Sequence, residues 1–121
     1  MRRKRSRSRG GLRIDPKFLE IVPFLAPKLR RQILIELGHG LSTTAELVDH
    51  LSVPASRIAY QLERLVDRRL VRARGQGRSR SYRLGPAVQV TEQEGQDVLT
   101  VSVGRSSISV GTTRVGKTTS K

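Results

Sequence analysis

Residues 27–84 read PKLRRQILIELGHGLSTTAELVDHLSVPASRIAYQLERLVDRRLVRARGQGRSRSYRL, and the order of patterns along this stretch decides the fold. Leu29, Ile33, Leu34 and Leu37 recur at i, i+4, i+5 and i+8, the spacing of one helical face. Pro27 opens that helix and Gly38-His39-Gly40 stops it. Leu41-Ser42 is long enough for a single ladder pairing. Thr43-Thr44-Ala45-Glu46 is a capping box, in which a Thr oxygen accepts the Glu46 amide and the Glu side chain returns to the Thr amide. A short helix follows, with Leu47, Val48 and Leu51 turned inward. Ser52-Val53 turns the chain, and Pro54 stands at the first position of the next helix. There Ile58, Leu62, Leu65 and Val66 face the core, Ser56, Arg57, Tyr60 and Arg64 point away, and Gln61 sits on the flank. After Leu70 the period falls from 3.6 to 2. Val71–Arg74 and Arg80–Leu84 read as strands around the glycine-bearing turn Gly75-Gln76-Gly77-Arg78-Ser79, a hairpin with basic residues on one face and at its tip.

Upstream, residues 1–11 carry no apolar core and read as a disordered basic arm. A first helix begins near Pro16 with Asp15 as cap, buries Phe18, Leu19 and Val22, and ends between Pro23 and Pro27. Downstream, Val98–Val103 and Ile108–Val110 flank the turn Gly104–Ser107 and read as a hairpin with Leu99, Val101, Val103, Ile108 and Val110 on one face. Ala87–Val90 is a candidate third strand, and Glu92–Asp97 an acidic link. A lone hairpin is marginal in water, so this one either packs on the preceding domain or pairs with another chain through an edge. The organisation expected is an arm (1–11), a domain (12–85), and a β-hairpin extension (about 87–112) with a polar tail inside 86–121.

The order helix, helix, short strand, helix, turn, helix and hairpin resembles the ArsR-like winged helix-turn-helix regulators over residues 27–84. The likeness is carried by Arg31-Gln32-Ile33-Leu34, Glu46-Leu47, Ser56–Leu62, Leu65, Leu70-Val71 and Tyr82-Arg83-Leu84. It implies a mainly α fold with a β-wing (α+β), a winged helix-turn-helix that here continues into a C-terminal β-hairpin extension. The sequence departs from the family twice. Thiolate metal sensors of the family carry cysteines in the helix matching residues 45–51, which here reads Ala-Glu-Leu-Val-Asp-His-Leu. Asp49 and His50 point about 100° apart on a helix and do not chelate together. The family's dimerising helix is also replaced, because Gly85-Pro86 leads into strand-like sequence. A homodimer is expected by analogy, with the first helix as another candidate surface.

Composition limits the function. In 121 residues, 24 Lys+Arg stand against 10 Asp+Glu, for a net charge of +14. Residues 1–13 and 57–83 each contribute +7, and the remainder sums to zero. Nineteen of the 24 basic residues are arginine, whose planar fork suits phosphates and guanine edges. The partner class is a polyanion, double-stranded DNA above all, rather than a membrane. Ala55, Ser56, Arg57, Tyr60, Gln61 and Arg64 are the candidate major-groove residues, with Arg57 and Gln61 the base readers. Arg74, Arg78 and Arg80 are the candidate wing contacts, and Arg2, Arg3, Lys4, Arg5, Arg7 and Arg9 the arm contacts. For Arg64 the competing role is an ion pair with Asp67, and for Tyr60 shelter against the wing.

The function expected is a transcription regulator, cytoplasmic and nucleoid-associated. Low-specificity chromatin coating is the alternative, and RNA binding is more remote. With no cysteine, disulfides and thiolate metal sites are excluded. No Ser/His/Asp set, carboxylate pair or metal cluster is evident, so no enzyme, cofactor or metal is expected. Gly111–Thr118 fits the phosphate-loop pattern G-x-x-x-x-G-K-[ST] letter for letter, but no helix or sheet accompanies it and it reads as polar tail.

Overall fold

The computed structural model describes residues 16–113. They form an α+β fold of four helices and two small antiparallel sheets: α1 (Pro16–Phe24), α2 (Lys28–Gly38), α3 (Thr44–Leu51), α4 (Ala55–Asp67), β1 (Val71–Arg74), β2 (Ser81–Leu84), β3 (Val88–Gln93), β4 (Gln96–Val103) and β5 (Ser106–Thr113). The arm residues Arg2–Arg9 and residues 114–121, with most of the phosphate-loop look-alike, lie outside the described residues.

Local chemistry sets the element ends. Pro27 and Pro54 precede α2 and α4 as their caps in extended conformation, one position earlier than the first-turn place expected for Pro54. The capping box of α3 forms as its residues require. Glu46 N–H donates to Thr43 Oγ1 at 3.1 Å, and Glu46 Oε1 accepts from the Ser42 and Thr43 amides at 2.7 and 3.1 Å. Ser52 then takes a left-handed backbone (φ 57°) and ends α3. The short strand expected at Leu41-Ser42 does not form: the segment makes one backbone bond to the hairpin, Tyr82 N–H donating to Ser42 C=O at 2.7 Å, which ties the α2–α3 connection to β2.

One apolar cluster joins all of this. Ile33, Leu34, Leu47, Ile58, Leu62, Leu65 and Val101 are fully buried, and Leu70, Val71, Tyr82 and Leu99 nearly so. Val48, Leu51 and Val66 pack at its margin, only partly buried. The first helix turns differently from the expectation. Leu19 and Val22 are exposed, while Ile21, Phe24 and Leu25 are buried, and the side chain of Phe18 is outside the described residues. Tertiary packing chose between two faces that are both apolar: the 21/24/25 face joins the common core, and Arg30 lies over the Phe24 ring at 4.1 Å and Arg68 at 4.8 Å.

The C-terminal region corrects the sequence reading more strongly. It is a three-stranded meander, β3-β4-β5, with the third strand fully formed. The expected acidic link at 92–97 is instead the end of β3, a two-residue turn at Glu94-Gly95 (φ 52° and 80°), and the start of β4. Two successive positive φ values make the turn twist with the strands, so the charges there cost no ladder pairs. The meander packs against α1 and α2. Val88, Leu99 and Val101 enter the common core, with Val90, Val103 and Ile108 at its margin. His39, expected as a plain loop residue, caps α2, and its Nε2 lies 2.9 Å from Oδ1 of the buried Asp97.

Two predictions follow from this packing. A Cβ on Gly38 would lie 2.6 Å from Val90 Cβ and Cγ2. Alanine normally stabilises a helix by about 1 kcal/mol over glycine, yet Gly38→Ala is expected to lower the urea midpoint, because overpacking costs ~1–3 kcal/mol. Glu46 has its pKa lowered from the ordinary 4.5, chiefly by the Ser42 amide and then by the Thr43 amide. Its contribution is therefore complete above that ordinary value and is lost as pH falls through the lowered one. Glu46→Gln is expected to flatten the acid limb of the stability–pH curve in that range.

Candidate nucleic-acid interface

α4 has two faces. Ile58, Leu62 and Leu65 anchor one in the core. The other carries Ala55, Ser56, Arg57 and Tyr60, all exposed, with Arg64 half-buried in the same stripe. Tyr60 is 59% exposed, so it does not shelter against the hairpin. Arg64 makes no ion pair with Asp67, and its Nε is buried with no hydrogen-bond partner among the described residues. The three-residue connection Ser52-Val53-Pro54 sets α3 beside this helix.

Gln61 is placed as expected, on the flank, but it is already engaged: Arg30 Nε donates to Gln61 Oε1 at 2.7 Å. Arg30 also donates to the Phe24 carbonyl at 2.9 Å. Sequence reasoning missed this tie because residues 30 and 61 meet only through packing of α2 on α4.

The hairpin arginines divide. Arg74 is exposed on β1 and makes no ion pair among the described residues. The side chain of Arg78, between the strands, is outside the described residues. Arg80 is turned back: its Nη2 lies 3.4 Å from Glu63 Oε2 on α4, and its guanidinium stands 5.5 Å from the Tyr82 ring centre. A half-exposed pair of this kind contributes about 0–1 kcal/mol. Its larger effect is local, since it neutralises an acid carried by α4 itself. An open groove runs between α3, the start of α4 and the hairpin, lined by Thr43, Thr44, Glu46, Asp49, Ala55, Arg80 and Tyr82. Two carboxylates in its wall make it a poor seat for a free anion.

Two further arginines emerge from the strand register. Arg72 and Arg83 are directly opposite each other, both exposed, neither in an ion pair among the described residues. The sequence lists both, but only the pairing of β1 with β2 reveals that they are neighbours. Among the described residues Arg57, Arg64, Arg69, Arg72, Arg74 and Arg83 make no ion pair, whereas Arg68 and Arg80 are paired with Glu20 and Glu63. Among the described residues there is no group of three or more His, Cys, Asp or Glu placed to hold a metal, and no helix is long and apolar enough to cross a membrane. His50 instead lies 3.3 Å from Glu36 of α2.

No protein-family model matches this chain, and no curated protein matches it in sequence.

Like charges directly opposite on a sheet are destabilising, and each cross-strand pair is worth roughly 0.2–1 kcal/mol. Arg83→Thr is therefore expected to raise the urea midpoint of the free protein slightly. An unchanged or lower midpoint shows that the two guanidiniums do not strain the hairpin.

Proposed function

We propose that this protein binds double-stranded DNA as a winged helix-turn-helix transcription regulator at the nucleoid, with α4 in the major groove and the β1–β2 hairpin as the wing. The observation that carries the reading is the stripe Arg57–Tyr60–Arg64, exposed or half-exposed and with no ion pair to its arginines among the described residues, on a helix whose opposite face is locked into the core. A groove about 12 Å wide admits one helix. Ala55 and Ser56 at the start of α4 permit close approach, Arg57 reaches base edges with its bidentate fork, and Tyr60 and Arg64 lie against bases or flanking phosphates. Arg74, Arg72 and Arg83 follow the backbone. Arg80 joins them by exchanging Glu63 for a phosphate, and Arg78 and the arm residues Arg2–Arg9 add unspecific attraction.

A second reading has its own support. Gln61, the other bidentate base reader, is held by Arg30, which leaves Arg57 as the main source of sequence preference and favours a low-specificity coating protein. Electrophoretic titration and footprinting on genomic and random duplexes separate the two. A discrete protected site supports the regulator, and continuous coverage supports coating.

If 6–10 phosphates are neutralised, affinity is expected to fall roughly 10³–10⁵-fold between 50 and 200 mM salt. Arg57→Ala is expected to cost ~1–3 kcal/mol on a preferred sequence and less on random duplex. Deleting residues 1–10 is expected to weaken all sequences alike and flatten the salt slope. A salt-independent isotherm would falsify the proposal.

A further inference from the structure

The bond between Arg30 and Gln61 joins two helices, and it also fixes which end of an amide faces which way. Arginine only donates, so the Gln61 atom that meets Arg30 Nε at 2.7 Å is the oxygen. The same guanidinium donates through Nη1 to the Phe24 carbonyl at 2.9 Å and lies 4.1 Å over the Phe24 ring. Phe24 belongs to the common core, and Arg30 and Gln61 are half-buried. These contacts hold one guanidinium in place, and that guanidinium holds the Gln61 amide with its oxygen turned to α2.

Direction decides what a glutamine can read. In the major groove adenine presents an acceptor, N7, beside a donor, the N6 amino group. Glutamine matches that pattern only when its oxygen and its nitrogen face the base edge together. The Nε2 group alone finds an acceptor on adenine, guanine or thymine, and so attracts without choosing among them. Arg57 and Gln61 are four residues apart on α4, which makes them neighbours on the helix surface at about 6 Å along its axis. Base pairs are stacked ~3.4 Å apart, so a helix in the groove sets Gln61 one or two pairs from the one that Arg57 meets.

We propose that Arg30 is a specificity-determining residue that acts through Gln61, an inference resting on the DNA-binding reading of α4 given above. Arg30 withholds the amide oxygen from the groove, adenine gains no bidentate contact at the pair beneath Gln61, and the interface stays permissive there. Arg30 is in this sense a positioning residue. The breadth of the readout is set from α2, behind the reading helix.

Two measurements on the full chain test this. NMR relaxation of the Gln61 Nε2 amide in the free protein reads the hold without DNA. The amide is expected to be ordered in the wild type and mobile in Arg30→Met, whose flexible thioether still packs on an aromatic ring but has no donor. Selection from randomised duplexes reads the consequence. The wild type is expected to show no adenine preference at the pair beneath Gln61. Arg30→Met is expected to prefer adenine there by roughly 5- to 150-fold, and the double variant Arg30→Met, Gln61→Ala to lose that preference. Losing a positive charge weakens all duplexes together and leaves their ratio unmoved, so the ratio isolates Gln61. Gln61→Ala with Arg30 intact, a milder change to the fold, is expected to weaken duplexes that differ at this pair by one common factor. A Gln61 amide already mobile in the wild type overturns the proposal. So does an adenine preference of the wild type that Gln61→Ala removes, or a folded Arg30→Met that binds duplex with wild-type selection. A wild type that holds Gln61 rigid yet binds no duplex overturns the DNA-binding reading itself, and the role of Arg30 with it.

Discussion

The Phe24 ring, met by two guanidiniums, is the contact on which the arrangement of the helices depends. Arg30 of α2 covers the ring at 4.1 Å, and Arg68, at the end of α4, approaches it at 4.8 Å. A buried aromatic ring attracts cations through its face, so one side chain of α1 fixes an arginine from each of the two longer helices. Each arginine is then used again. Arg30 donates to Gln61 and to the Phe24 carbonyl, Arg68 approaches Glu20 at 3.4 Å, and Arg31 closes the α1–α2 turn by donating to the Leu25 and Ala26 carbonyls. A chain with only two Phe and two Tyr has few large apolar groups, and here arginine stems and planes add to the packing that aromatics supply elsewhere. The positive charge is therefore of two kinds: arginines consumed in holding the helices together, and arginines left facing solvent.

The second constraint is the closure of the sheet onto α2. Gly38 is where the helix comes nearest the strand, with no space for a Cβ beside Val90. One residue on, His39 ends the helix and reaches Asp97 on β4. These adjacent residues fix both the separation and the register of the meander on the helix, and Val88, Leu99 and Val101 then complete a core that α1 and α2 alone leave open. Residues 86–113 thus share one apolar core with the helices. A hairpin that had to stand alone would be marginal, whereas this one gains stability by sharing the core.

Most of the helical region was legible in the sequence because its signals are local. The capping box at Thr43–Glu46, the prolines before α2 and α4, the glycines after α2 and the Ile58–Leu62–Leu65 stripe each specify a structure within a few residues. What was not legible depends on contacts across the chain. α1 carries apolar residues on more than one face, and its contacts with the common core, with β4 and β5 and with Arg30 and Arg68 accompany the burial of Phe24 and the exposure of Leu19. The charges of Glu92–Asp97 look like a linker until the glycine-bearing turn and the burial of Asp97 against His39 are known. In the candidate site, Arg57, Tyr60 and Arg64 could be assigned to the outer face from helical period alone. Arg72 beside Arg83, Arg80 against Glu63 and Arg30 on Gln61 all require strand register or helix packing.

The Arg30–Gln61 bond links the fold to the proposed reading of DNA. Gln61 is a base reader only if its amide is free, yet its oxygen accepts from a cation that is itself fixed over Phe24. Releasing it leaves a partly buried guanidinium short of an acceptor, and hydrogen bonds to charged groups contribute about 1.5–3 kcal/mol. A bidentate base contact returns about 1–3 kcal/mol, so the exchange is close to neutral. Under the proposed function, then, base discrimination rests on Arg57 at the first turn of α4, while Gln61 holds the helix at the angle from which Arg57 reaches the groove. Tight packing of the reading helix and breadth of sequence readout draw on the same side chain, and in this structure packing has it.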